Sequence, residues 1–415
     1  MSTQGERRMA ELDAKLGLLR EELAFWRELA APDGVLERHH AQLHRLSQML
    51  GAALDRLDLQ RYGSDAQAET IEQLLAVHHV WNFFRSKLAL RLVVRFEPAL
   101  IAADELARAC VQPLYDAALA AGTLTHGQIR EPLAYFDSVG TPFAPRRGQA
   151  YRNLLLGGLP DGLVRQLPVP VIGVPWHEQA HLPEIAVVAH EVAHLADDDL
   201  GLTLALRPVL ERRLTTNPRS ADWSRWFPEV LADVLATLRL GPAYGQALAD
   251  LVAAADDDRG YPPPDIRLRL VTATLDLLGL PAGPVGQVDG TAALYLLDVA
   301  EVVSVILSEP LDVLGHAPLR RFAPFTTVLQ TQVIIDAERL RAWVPPHSQD
   351  PRLLVAAGIL AFSDDPDAFV RNGTAALVFA RIAGAATRAP GGLDGRREAE
   401  AHDRRLGADL LRWVS

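Results

Sequence analysis

Apolar residues recur near the N-terminus at alternating steps of three and four: Met9, Leu12, Leu16, Leu19, Leu23, Trp26 and Ala30. That spacing keeps one apolar stripe on one side of a helix. Pro32-Asp33-Gly34 ends the run, and Leu36, Leu43, Leu46, Leu50, Ala53 and Leu57 carry a second stripe. The pattern predicts a helical hairpin over residues 5–58 whose stripes face each other. Self-association through the same seam is the alternative use of it. Residues 66–121 read as two further helices, with His78-His79-Val80-Trp81-Asn82-Phe83-Phe84-Arg85 as helix core. From 126 to 175 the helical period is lost and Pro and Gly accumulate. Leu133 to Phe136 and Pro168 to Pro175 read as strands, rich in β-favouring residues. Helical spacing returns over 183–197, 202–214, 221–239 and 243–255. A loop at 255–264 precedes helices at about 289–307, 326–342, 351–362, 366–386 and 395–414. The expected fold is mainly α with a small β component (α+β). An N-terminal helical region spans 1–125, a mixed core 126–281, and a C-terminal helical region 282–415.

Chemistry enters at His190-Glu191-Val192-Ala193-His194, an H-E-x-x-H run inside an apolar helix. Positions i and i+4 share a helix face, so His190 and His194 can aim two imidazoles at one zinc ion. Glu191 lies one residue on, placed to polarise a zinc-bound water rather than to complete the ligand set. Neutral imidazoles bind zinc without cancelling its charge, so the bound water stays acidic. The carboxylate accepts its proton and passes it to the leaving amine.

The chain holds a second match to the same pattern, His177-Glu178-Gln179-Ala180-His181. Pro175 and Pro183 flank it, and proline removes a backbone donor and clashes with the carbonyl four residues back. This run is therefore expected to lie in a loop before the helix, its histidines available at most for substrate contact. Pro183-Glu184 reads as the first turn of the helix bearing His190. A third ligand is needed. The metzincin pattern is excluded, because Asp197 and Leu200 stand where it has Gly and His. Asp197-Asp198-Asp199 offers an aspartate but reads better as a helix end. Glu229 and Asp233 are the stronger pair, four apart on an apolar helix after Pro228. Glu229 would bind the metal, and Asp233 would accept the outer N–H of a ligand histidine.

The pair H-E-V-A-H at 190–194 and E-V-L-A-D-V-L-A at 229–236 resembles the gluzincins. Among them it is most similar to the group of CAAX prenyl proteases and bacterial heat-shock membrane proteases. The resemblance covers about 80 residues. It implies a zincin-like metallopeptidase core at 126–281, one zinc per chain held by His190, His194 and Glu229, and Glu191 as base. That group carries a His-Pro segment ending in Arg. Here Tyr261-Pro262-Pro263-Pro264-Asp265-Ile266-Arg267 stands in its place, so Tyr261 becomes the candidate oxyanion donor. Tyr244, in Gly241-Pro242-Ala243-Tyr244-Gly245, is a second candidate. Zincin-like sites place an edge strand beside the metal, a role that 169–174 could take.

Those relatives are membrane proteins, and this chain departs from them. No apolar run of about 18 residues is free of charge, and Asp298 and Glu301 interrupt the best stretch. The polar N-terminus shows no signal-peptide core. Cys110 is the single cysteine, and Lys15 and Lys87 are the only lysines among many arginines. That skew fits a high-GC bacterial source. A cytoplasmic protein is expected. The net charge of −11 argues against nucleic acid or an anionic membrane as partner. A peptide or protein substrate is expected instead. The rival is a non-catalytic zincin scaffold or interaction protein, which the helical seams favour and an intact Glu191 disfavours.

Overall fold

A computed structural model describes residues 4–60, 67–137, 167–253, 261–281, 290–385, 400 and 403–410. The fold is mainly helical. Helices α1 (Gln4–Leu29) and α2 (His40–Gln60) form the hairpin expected from the two stripes. Leu12, Leu16, Leu19, Leu23 and Trp26 are buried against Leu43, Leu46, Leu50, Ala53 and Leu57. The seam is filled from within the same chain. Arg20 ties the two helices on the outside through Asp55 and Asp58. The reversal at Pro32-Asp33-Gly34 needs its glycine, since a Cβ at Gly34 would lie 2.3 Å from the Leu29 carbonyl oxygen. Helix α3 (Gln67–Ala89) closes this layer, with Trp81 edge-on to Trp26 at 5.7 Å. Val80, Trp81 and Phe84 are fully buried, so the aromatic segment is core.

Strand β1 (Leu133–Asp137) pairs in parallel with β2 (Val171–Pro175), Leu133 opposite Val171. Successive side chains on a strand point to opposite faces. Leu133, Tyr135 and Val171 accordingly join the apolar cluster of α1–α3. Ala134, Ile172 and Val174 join a second, larger cluster. The two strands are thus a partition with an apolar layer on each side. All five β2 residues are buried.

The larger cluster contains α4 (Glu97–Ala120), α5 (Val188–Leu200), α6 (Leu202–Arg213), α7 (Ser220–Leu240), α8 (Pro242–Ala253) and α9 (Pro264–Leu277). It also takes in α10 (Leu296–Ser308), α11 (Thr327–Arg341), α12 (Pro351–Asp364), α13 (Pro366–Arg371) and α14 (Thr374–Ala385). The expected helix over 366–386 is broken at Asn372-Gly373, where Gly373 takes a left-handed φ of 65°. Helix α7 starts at Ser220, so Pro228 lies inside it rather than near its start. Residues 403–410 return to the hairpin. Arg45 holds Asp403 with two hydrogen-bonding nitrogens and donates to the Ile129 carbonyl at 2.7 Å. Much of the loop expected at 255–264 lies outside the described residues. Among those described, no helix is long and apolar enough to cross a membrane.

Removing a buried Leu side chain costs the transfer energy of its carbons plus that of the cavity left. Leu46, fully buried in the seam, is the test position. Leu46→Ala is expected to lower stability by about 2–5 kcal/mol in denaturant unfolding. An unchanged midpoint would show that the hairpin does not pack this way.

Candidate metal centre

Two helices build the site. The chain enters α5 through a 3-10 turn at Pro183–Val187, where proline suits the first positions because its missing N–H has no partner there. Helix α5 ends at Gly201 in the left-handed conformation, with the Gly201 N–H on the Asp197 carbonyl at 2.8 Å. Two acids of the triplet are engaged elsewhere. The Asp197 carboxylate accepts from Thr203 N and Oγ1 at 2.6 and 2.7 Å, opening α6. Asp199 pairs with Arg130 and accepts from the Tyr115 hydroxyl at 2.7 Å. Asp197 and Asp199 are thus held by α6, Arg130 and Tyr115.

Helix α7 packs on α5 along an almost wholly apolar face. Its i, i+4 pair points two carboxylates at the two histidines. His190 Nε2 lies 3.2 Å from Glu229 Oε2, His194 Nε2 lies 3.4 Å from the same oxygen, and the two Nε2 atoms are 3.2 Å apart. His190 and Glu229 are 3% and 4% exposed, and His194 is 9% exposed. A tetrahedral zinc with bonds of about 2.0–2.1 Å has ligand–ligand edges of about 3.3 Å. The observed triangle has that size. Glu191 lies in the first turn of α5 and is 8% exposed.

Asp233 stands behind the triangle. Its Oδ1 accepts from His190 Nδ1 at 2.8 Å and from the Tyr244 hydroxyl at 2.6 Å. Arg267 grips both oxygens, Nε to Oδ2 and Nη2 to Oδ1, each at 2.8 Å. A carboxylate only accepts, so the proton of this bond is on His190 Nδ1, and Nε2 is the nitrogen that faces Glu229 and His194. A dication held there would take the Nε2 lone pair in place of the contact with Glu229. Full burial alone would raise the Asp233 carboxyl, but the charge and hydrogen bonds of Arg267, with His190, outweigh it and hold it well below the usual range. Burial, with the charge of Asp233, pushes the Tyr244 phenol well above its ordinary value; the charge of Glu191 adds to that field.

The sequence-derived candidates thus separate. His190, His194 and Glu229 converge, and Asp233 sits at the outer nitrogen of His190. Tyr244 is fully buried on that outer side, its proton committed to Asp233. Its hydroxyl contacts Asp233 and lies 3.3 Å from His190 Nδ1, so the oxyanion role expected for it does not fit. Tyr261 is 38% exposed before α9, its ring 5.3 Å from the Arg267 guanidinium. The 177–181 run forms a 3-10 turn over Trp176–Gln179 and no α-helix, as its flanking prolines require. Sequence spacing offered no signal for the Tyr244–Asp233 contact, because Tyr244 reaches Asp233 from the following helix.

No protein family model matches the chain, and no curated protein or solved structure is significantly similar to it.

Partners of this outer kind typically change metal affinity by roughly 10- to 100-fold when removed. Asp233→Asn keeps the shape but loses the charge that fixes the His190 proton. It should weaken zinc by roughly that factor in competition with a chromophoric chelator. Equal affinity in a folded variant would remove Asp233 from the site.

Proposed function

We propose that the chain is a zinc-dependent peptidase of gluzincin type, acting on a peptide or protein substrate. The observation that carries this reading is the His190–His194–Glu229 triangle, with edges of 3.2 to 3.4 Å, its histidines on a helix that also carries the buried Glu191. His190 and His194 would hold the ion through Nε2 and Glu229 through Oε2, about one zinc per chain. Bound there, zinc supplies a Lewis acid that makes water acidic near neutral pH and polarises a carbonyl. The residues do the rest. Asp233 keeps the His190 proton on Nδ1 and orients the ring. The Glu191 carboxylate takes the proton of the attacking water and returns it to the leaving amine. Tyr261, exposed and joined through Arg267 to Asp233, is the group we assign to steady the developing oxyanion.

The zinc assignment has a direct check. Elemental analysis after mild dialysis should find about one zinc per chain, and His194→Ala should lose it. A metal-free wild type, or a His194→Ala protein that keeps its zinc, would refute the ligand set.

Glu191→Gln separates a peptidase from a scaffold built on the same centre. Glutamine preserves shape but cannot take a proton, so the variant should keep zinc and fold while hydrolysis falls by roughly a hundredfold or more. Activity at the wild-type level on a peptide substrate would require a different base. A wild type that holds zinc and cleaves nothing would favour the scaffold.

A further inference from the structure

The 177–181 run is not inert. It forms a second cluster of metal-ligating atoms, separate from the first in residues and surroundings. One ligand atom each from His177, Glu178 and Glu184 lies within 4.8 Å of the others. His177 Nε2 is 3.6 Å from Glu178 Oε1 and 3.5 Å from Glu184 Oε2. Those separations are too long for hydrogen bonds. They are close to the edge, about 3.3 Å, that two ligands of a tetrahedral first-row ion share.

The strongest observation is Glu178. It is fully buried, and its Oε2 has no hydrogen-bond partner. Its Oε1 is bonded to His181 Nδ1 at 2.9 Å. The Glu184 Oε2 is likewise buried without a hydrogen-bond partner. Each of these two oxygens has lost its water without gaining a donor. Buried carboxylates are otherwise found paired or on a metal. The backbone enforces this approach. Leu182, a non-glycine residue, holds φ at 82°, and that reversal returns Glu184 to His177. Leu182 is itself fully buried, its side chain within 2.8 Å of the point where a Cβ at Gly358 would lie.

We propose that His177, Glu178 and Glu184 form a second divalent-cation site, with His181 orienting the Glu178 carboxylate. The donors, one imidazole and two carboxylates, suit a first-row dication such as zinc, cobalt or manganese. The His177 and Glu184 side chains are 39% and 27% exposed, so the ion exchanges with solvent more readily than one in the buried triangle. It links the 176–181 turn to the 3-10 entry of α5, and so fixes the start of the helix that carries His190.

Cobalt tests the site in the full chain. A His190→Ala, His194→Ala protein lacks the first centre and should still bind about one Co2+ per chain, followed by visible absorption and calorimetry. Adding His177→Ala and Glu184→Gln should abolish that binding. No bound cobalt in the folded double variant would overturn the proposal, as would binding that survives the added substitutions. Should the double variant not fold by circular dichroism, the wild type serves. It should take up about two Co2+, and the His177→Ala, Glu184→Gln chain about one; equal uptake by the two proteins would overturn the site. His177→Ala with His181→Ala should keep the dialysis-resistant zinc. Failure of the first centre would appear instead as wild type with no such zinc, whatever the second site does.

Discussion

A carboxylate sealed from water is tolerable only if every lone pair finds a donor, and Asp233 is fully buried in the centre of the larger core. Its donors come from three other helices: His190 on α5, Tyr244 on α8 and Arg267 on α9. Removing any of them leaves charge or polarity unmatched in an apolar layer. Asp233 therefore does two things through the same bonds. It holds four helices in register, and it sets the direction of His190 and the proton on its Nδ1. The geometry of the triangle depends on that packing.

The charges around the triangle are arranged by distance from it. Glu191, Glu229 and Asp233 bring three acids into a small buried volume, and Arg267 offsets one of them. A dication among the Nε2 and Oε2 atoms, the proposed occupant, would offset the rest. The other acids of the region are drawn away: Asp199 to Arg130 and Tyr115, Asp197 to the start of α6. Asp298 is held by Arg219, Asn217 and Trp223 at the far end of α7. Each of these three acids has partners other than His190 and His194.

The chain also shows what one text pattern becomes on two backbones. In α5 the i, i+4 spacing puts His190 and His194 on successive turns, edge-to-face, with their Nε2 atoms 3.2 Å apart. Between Pro175 and Pro183 the same spacing runs through a 3-10 turn. There His181 turns to Glu178, while His177 meets Glu184 from beyond the motif. The pattern names residue types; the backbone decides which of them meet.

The local parts of this protein were legible in the sequence because their causes are local. Heptad steps produced the hairpin, and Pro32-Asp33-Gly34 closed it, since side-chain periodicity and backbone φ act over a few residues. The helical i, i+4 rule likewise marked His190 with His194 and Glu229 with Asp233, on two apolar helices that had to be buried. Other features follow from how distant elements pack, which no local period encodes. Tertiary structure alone decided that Tyr244 supports His190 from behind, and that alternate strand residues divide two apolar layers. It alone made Arg130 the partner of Asp199. It also placed a left-handed Leu182 where the C-terminal helices hold it, so that Glu184 returns to His177. These contacts join residues far apart in sequence or across a strained turn, and only the filled core makes them the lowest-energy arrangement.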